Sequence, residues 1–151
     1  MSDQEEVRQH SLFLDHEIAV RTYEIDYAQH VSNIAYLYWL EDMRNMLFEK
    51  YFSLEMFMED GLGPVLVSTH IEYKLPIKLF DRPQALMWVS QISNAALTID
   101  CEIRVNNQLA TKAQHVGVFV ELASGKPVRL PAICKQKFHE AATLRTSAIE
   151  S

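Results

Sequence analysis

The sequence is poor in cysteine and glycine, with two cysteines and four glycines among 151 residues. Cys101 and Cys134 lie far apart and form no C-x-x-C pair, so by themselves they build neither a zinc site nor a redox motif, and we interpret both as buried, inert thiols. The G-x-S-x-G and H-E-x-x-H segments of two large hydrolase classes are absent. Gly61 and Gly63 precede a predicted strand and not a helix, which excludes a dinucleotide-binding loop. We expect no bound metal.

Long apolar runs are also missing, and the charge is biased to one sign. No segment approaches the roughly 20 apolar residues of a membrane-spanning helix. The first nine residues are polar and acidic, whereas a secretory signal is basic and then apolar. The net charge of −6 disfavours nucleic acid, which is held largely through its phosphates. We therefore expect a cytoplasmic protein that binds neither membranes nor nucleic acid.

The hydrophobic patterns predict one α+β domain over residues 12–131, preceded by a flexible tail (1–11) and followed by an extension (132–151) with weak helical character. Residues 16–23 alternate in polarity, as in a half-buried strand. Residues 31–51 contain no Gly or Pro and repeat apolar residues at helical spacing; their first half is apolar nearly all round. Four further strands are predicted over residues 65–73, 84–92, 97–105 and 108–121.

Two turn features refine this topology. Asn106-Asn107 favours a tight antiparallel hairpin, because Asn tolerates positive φ. The apolar phase changes near Gly117, which predicts a β-bulge in the last strand. A five-stranded antiparallel sheet wrapped around the one long helix buries that helix most economically. Because such a sheet has an open edge, we expect two copies to pair.

The segment that joins the first strand to the helix carries a family motif. It reads Asp26-Tyr-Ala-Gln-His30-Val31-Ser32-Asn33-Ile-Ala-Tyr36 and resembles the pattern D-x-x-G-H-V-N-N-x-x-Y of the 4-hydroxybenzoyl-CoA thioesterase-like branch of the hotdog superfamily. Ile71-Glu-Tyr73-Lys-Leu-Pro76 with Asp81, and the stretch from Ser124 to Pro131, resemble two later motifs of that family. The resemblance covers residues 16–131, with Gln29 in place of the usual Gly and Ser32 in place of Asn.

The resemblance implies an acyl-CoA thioesterase with a hotdog fold. Asp26 would be the carboxylate that attacks the thioester carbonyl or deprotonates water, and the backbone N–H of Asn33 would polarise that carbonyl, with Ser32 and Val31 beside it. A helix N-terminus suits this task, because its N–H groups have no intrahelical partner. From the residues alone, Asp26 would be a turn residue. His30 is a weaker candidate base, and Glu41 is a competing carboxylate, as in other hotdog branches.

The substrate is expected to be a thioester of coenzyme A or of an acyl carrier protein, with no separate cofactor, in a homodimer or homotetramer. A hotdog hydratase and a non-catalytic acyl-binding dimer are the alternatives. Ser68 is a candidate for holding water or the thioester. Candidates for the acyl pocket are Tyr36, Leu40, Phe57, Met58 and Leu62, and candidates for a basic rim are Lys74, Lys78, Arg82, Lys126 and Arg129.

Overall fold

Five antiparallel strands form the sheet of this computed structural model, which describes the backbone of residues 2–150 and the side chains of residues 2–144. The strand order is β1-β3-β4-β5-β2, and a two-residue β6 pairs with β5. The prediction of five strands is thus confirmed, with one short addition. The strands are β1 (Phe13–Glu17), β2 (Leu62–Tyr73), β3 (Gln84–Ile92), β4 (Ala96–Val105), β5 (Gln108–Glu121) and β6 (Pro127–Val128).

The long helix is α2 (Asn33–Tyr51), and Ser32 caps its N-terminus. Its buried side chains recur at helical spacing and pack on β3, β4 and β5 to form the main core. The expected burial of the first half on most sides is not completed within one chain, because Ile34, Leu37 and Tyr38 stay exposed on the opposite side. The buried residues of α2 are Ala35, Tyr36, Trp39, Leu40, Met43 and Leu47.

The N-terminal segment differs from the predicted loose tail. It contains α1 (Asp3–His10), whose N-terminus is capped by a reciprocal capping box between Ser2 and Glu5. The Arg8 guanidinium binds both carboxylate oxygens of Asp15 in β1. Local capping and this ion pair order a segment that has no apolar period. The extension after Pro131 forms α4 (Ala132–Glu150), which packs against α1.

The first strand also begins and ends earlier than predicted. β1 covers Phe13–Glu17, and the chain then leaves the sheet, with the Ile18 N–H donating to the Pro83 carbonyl. Residues Thr22–Glu24 form a single 3-10 turn. The polarity alternation of residues 18–23 therefore does not mark strand pairing, and this stretch instead carries the chain to the start of α2.

The β4–β5 hairpin is confirmed, since Asn106 and Asn107 adopt φ values of +50° and +65°. The predicted bulge at Gly117 is wrong. The ladder with β2 shifts register at Val67, opposite Gly117, and β5 itself shifts at Ala110. Gly117 itself stays in register with Leu97 of β4, because the extra residue of this bulge, Val67, belongs to β2. A second apolar cluster joins α3 (Leu54–Glu59) to α4 through Phe57, Phe119 and Cys134.

Candidate active site

Asp26 lies in a tight turn just before α2. Its Oδ1 accepts the backbone N–H of Ala28 at 2.8 Å and that of His30 at 3.3 Å. The Asp26 N–H donates to the His30 carbonyl at 2.8 Å, which closes the turn. Gln29 adopts a φ of +64°, the conformation for which the related motif uses Gly. The turn thus forms despite this substitution, and among the described residues Oδ2 of Asp26 has no hydrogen-bond partner.

The start of α2 presents a free backbone donor at Asn33. The Val31 N–H donates to the Ile77 carbonyl at 2.8 Å, and the Ser32 N–H donates to the Glu24 carbonyl at 2.8 Å. The Ser32 hydroxyl accepts the Ala35 N–H at 3.4 Å. Within the described part of the chain, no acceptor binds the Asn33 N–H. The helix dipole favours negative charge at this position. Among the described residues, the N–H groups of Asn33 and Ile34 are thus both available to an oxyanion, whereas that of Val31 is not.

Glu24 connects the segment before the Asp26 turn to the start of α2, and the sequence analysis did not single it out. Its Oε2 accepts the indole N–H of Trp39 at 2.7 Å, and its Oε1 accepts the backbone N–H of Arg21 at 2.6 Å. Its carbonyl accepts the N–H of the helix cap. An isolated bridge between Ile25 and Val31 completes the fold-back. Because the partners come together only when the chain folds back, no local pattern signals this role.

Three other predicted site residues, His30, Val31 and Tyr36, lie in or next to the turn. Val31 is buried in the core, and Tyr36 is 3% exposed, with its ring 5.1 Å from that of Trp39 and 5.0 Å from that of Tyr73. Burial raises the pKa of the Tyr36 hydroxyl. His30 is half-buried, and both its backbone groups bind Asp26. In the described chain, Val31 and Tyr36 thus belong to the buried core next to the turn.

The predicted basic rim divides between two ends of the molecule. The loop over residues 74–83 contacts the start of α2 through Ile77 and carries Lys74, Lys78 and Arg82. Lys74 lies 3.6 Å from the Glu72 carboxylate. Arg129 precedes Leu130, which packs in the second apolar cluster near the C-terminal half of α2. Ser68 is exposed in β2 beside the bulge. The structure therefore brings the loop lysines, and not Arg129, to the Asp26 end.

A cavity of about 320 Å³ lies farther along α2, between that helix, α3 and the sheet. Arg44 and His115, which sequence reasoning did not single out, line it together. The Arg44 Nη1 lies 3.1 Å from His115 Nδ1, and its Nη2 lies 3.8 Å from the Glu41 carboxylate. Burial, aided by Arg44, lowers the pKa of His115 to about 4. Met58 lines the cavity as predicted, whereas Tyr36, Leu40 and Phe57 belong to the core.

In the part of the chain that the structure describes, the two thiols, the metal-binding residue types and the helices agree with one another in offering no further reactive group. Both cysteines are free and buried, and burial raises the pKa of Cys134 to about 11 and that of Cys101 farther. Over the residues that the structure describes, no group of three His, Cys, Asp or Glu side chains is arranged to hold a metal ion. No helix in that same part of the chain combines the length and apolarity that a membrane crossing needs.

A family model described as the thioesterase-like superfamily matches residues 20–138. The chain belongs to this superfamily. It is 28% identical over 130 residues to the long-chain acyl-CoA thioesterase FadM of Escherichia coli (strain K12), an alignment that covers 82% of this chain and 96% of that protein. Superfamily membership makes the chain a thioester hydrolase.

Solved structures of other proteins share the fold. A 1,4-dihydroxy-2-naphthoyl-CoA thioesterase from Synechocystis aligns with a TM-score of 0.75 at 22% identity, covering 83% of this chain and 95% of that one. A Staphylococcus aureus protein determined in complex with CoA aligns with a TM-score of 0.79 at 13% identity, covering 88% and 85%. The predicted hotdog fold is thereby confirmed.

Proposed function

We propose that this protein hydrolyses acyl-CoA thioesters, with Asp26 as the reacting carboxylate and the Asn33 N–H as the oxyanion donor. One observation carries the proposal. Asp26 has one oxygen held by two backbone N–H groups, and its other oxygen has no partner among the described residues. Its turn leads directly into a helix start whose Asn33 N–H also has no acceptor in that part of the chain. Fixing one oxygen orients the other without neutralising it.

The reaction needs only these groups and water. The thioester oxygen accepts the Asn33 N–H, and Oδ2 of Asp26 either attacks the carbonyl carbon or removes a proton from an attacking water. In both routes the C–S bond breaks, coenzyme A leaves as the thiol, and one water is consumed to give the free acid. The direct route passes through an acyl-Asp26 anhydride that water then hydrolyses. The same carboxylate is required by both.

Coenzyme A is the carrier that the charges favour, although the chain is acidic overall. The loop over residues 74–83 meets Val31, just before α2, through the Ile77 carbonyl and carries Lys74, Lys78 and Arg82. We infer that these cations bind the phosphates of the carrier, with Lys74 and Arg82 exchanging their present carboxylate neighbours Glu72 and Glu17. FadM, the E. coli relative, is named for long-chain acyl-CoA. The apolar cavity along α2 supports an acyl chain of similar length here.

A homodimer fits the exposed surface. β2 is at the end of the sheet, so one of its edges is unpaired, and Val65, Leu66 and Val67 are 44%, 41% and 61% exposed. A long apolar edge strand invites pairing with a second copy. The same interface would bury the exposed apolar side chains of α2. We place the protein in the cytoplasm, because its two thiols are free, as is usual in a reducing compartment.

The test is release of free thiol from a panel of acyl-CoA and acyl carrier protein thioesters. Asp26→Asn is expected to lower kcat by about 10²-fold or more, because the amide can neither attack nor accept a proton. Asp42→Asn, which changes an exposed carboxylate on α2, is the matched control and should retain wild-type turnover. Glu41→Gln tests the competing carboxylate.

Each alternative has its own result. Full activity in Asp26→Asn together with loss in Glu41→Gln would transfer the role to Glu41. Binding of acyl-CoA without thiol release by the wild-type protein would indicate the non-catalytic acyl-binding dimer. Hydration of an enoyl-CoA with the thioester intact would indicate the hydratase.

A further inference from the structure

The floor of the cavity along α2 is formed by a glycine. Gly117 lies between His115 and Phe119 on the face of β5 that packs toward α2. A Cβ placed on Gly117 would meet nothing closer than the Val65 carbonyl oxygen at 3.5 Å, so the position is open to the cavity. The remaining wall is largely apolar and includes Phe48, Leu54, Leu66, Leu97 and Ile99. The space is suited to an apolar chain.

An arginine in this apolar wall needs an explanation. The Arg44 side chain is 24% exposed, and burial lowers the pKa of its guanidinium. A guanidinium has five N–H donors and no acceptor. Within the described residues, its side-chain hydrogen bond goes to His115 Nδ1, while the Glu41 carboxylate at 3.8 Å is beyond hydrogen-bond range. Several Arg44 donors therefore remain available at the cavity wall.

His115 adds a donor and not an acceptor. Because Arg44 can only donate, Nδ1 of His115 accepts, and the proton of the neutral imidazole resides on Nε2. The side chain is 3% exposed and lines the same cavity. The two residues together offer N–H groups to whatever occupies the space. Such a pair is complementary to an oxygen acceptor and leaves buried donors unpaired beside a plain hydrocarbon.

The charges around the cavity determine whether the oxygen acceptor of the ligand is charged or neutral. Glu41 and Glu49 also line it, so two carboxylates face one arginine and a neutral histidine. A terminal carboxylate on the ligand would add a third negative charge. A neutral hydroxyl or oxo group accepts from Arg44 without that repulsion.

We propose that Arg44 and His115 form a specificity site for long acyl chains that carry a hydroxyl or oxo group in their distal part. Arg44 lies three turns beyond Asn33 on α2, about 16 Å along the helix, so a chain whose thioester is held at Asn33 must be long to reach it. The proposal rests on the proposed function, since it assigns the acyl group of that substrate.

The experiment compares tetradecanoyl-CoA with its counterparts bearing a hydroxyl or oxo group at successive distal positions, or a terminal carboxylate. Wild-type kcat/KM should be about tenfold higher for the best neutral oxygenated chain than for the plain chain, the value of one hydrogen bond from a charged donor. Arg44→Met should bring the ratio of kcat/KM for the oxygenated chain to kcat/KM for the plain chain close to one. Gly117→Val, which fills the floor, should lower the ratio of kcat/KM for tetradecanoyl-CoA to kcat/KM for butanoyl-CoA. Arg104→Met, which removes an arginine paired with Glu102, is the matched control.

A second measurement separates this proposal from the first. The Kd values of the free tetradecanoic and hydroxytetradecanoic acids, measured by calorimetry, do not depend on catalysis. Tighter wild-type binding of the hydroxy acid, lost in Arg44→Met, would support the specificity site even if no thioester were hydrolysed. Equal kcat/KM values and equal Kd values for plain and oxygenated chains would overturn the specificity site and leave thioester hydrolysis intact.

Discussion

His115 makes folding depend on pH. It is buried against Arg44, and its pKa falls from the ordinary 6.5 to about 4 in the folded protein. Between these values the unfolded chain binds a proton that the folded chain excludes. The free energy of unfolding should therefore fall as pH drops from 6.5 to 4, by about 3 kcal/mol from this group, and show no contribution from it above 6.5.

Urea unfolding at several pH values measures this effect. His115→Gln keeps an acceptor for Arg44 but has no titrating ring, so the difference between the two proteins isolates the histidine from the many carboxylates. If the free energies of unfolding of wild type and His115→Gln differed by the same amount at pH 4 and at pH 7, the assignment would be contradicted.

The residues of the Asp26 turn and those of the cavity differ in how far the sequence predicts them. Asp26, Ser32 and Asn33 lie within eight residues of one motif, so the family resemblance could propose roles for them before any fold was known. Arg44 and His115 are 71 residues apart, and Glu24 and Trp39 are paired only by the fold-back. A contact between distant residues leaves no local pattern in a single sequence.

At the scale of the helix, two substitutions of Ser32 test its capping of α2 and the oxyanion donor separately. Ser32→Ala should lower the free energy of unfolding by about 1 kcal/mol, because the Ala35 N–H loses the Ser32 hydroxyl and keeps only the Ser32 carbonyl as an acceptor. Ser32→Asp should preserve stability, since Asp caps equally well, yet its charge beside the Asn33 N–H would repel the developing oxyanion. We expect kcat to fall by about tenfold to hundredfold.

Thermal unfolding measures the stability of each variant, and thiol release on the same samples measures its kcat. Ser2→Asp, at the equivalent cap of α1, is the control and should change neither value. Wild-type kcat in Ser32→Asp would place the oxyanion donor elsewhere.

The β4–β5 hairpin depends on two residues in left-handed conformation. Asn107, with a φ of +65°, is expected to tolerate Gly without loss, whereas Asn107→Ala should lower the free energy of unfolding by about 1 kcal/mol, because a Cβ is strained there. Chemical denaturation measures both, with Gln108→Ala as a neighbouring control in extended conformation. Equal stability of the Gly and Ala variants would argue against the turn.

For the whole molecule, the free edge of β2 decides the oligomer. Val67→Lys places a charge on this exposed strand and should convert a dimer to a monomer in light-scattering measurements, because charged residues block edge pairing. Leu144→Lys, at an exposed position on α4, is the matched control and should leave the mass unchanged. A wild-type protein that is monomeric at micromolar concentration would refute the interface.

The sequence by itself determined the alternation of the central strands, the extent of α2, the Asn106-Asn107 turn and the position of the carboxylate ahead of a helix start, because each depends on neighbours within a few residues. It did not determine α1, whose order comes from a capping box, an ion pair to β1 and packing on α4. It also did not determine the bulge sites or the cavity above Gly117. Those features depend on which strands and helices lie opposite one another, and only the tertiary structure sets that.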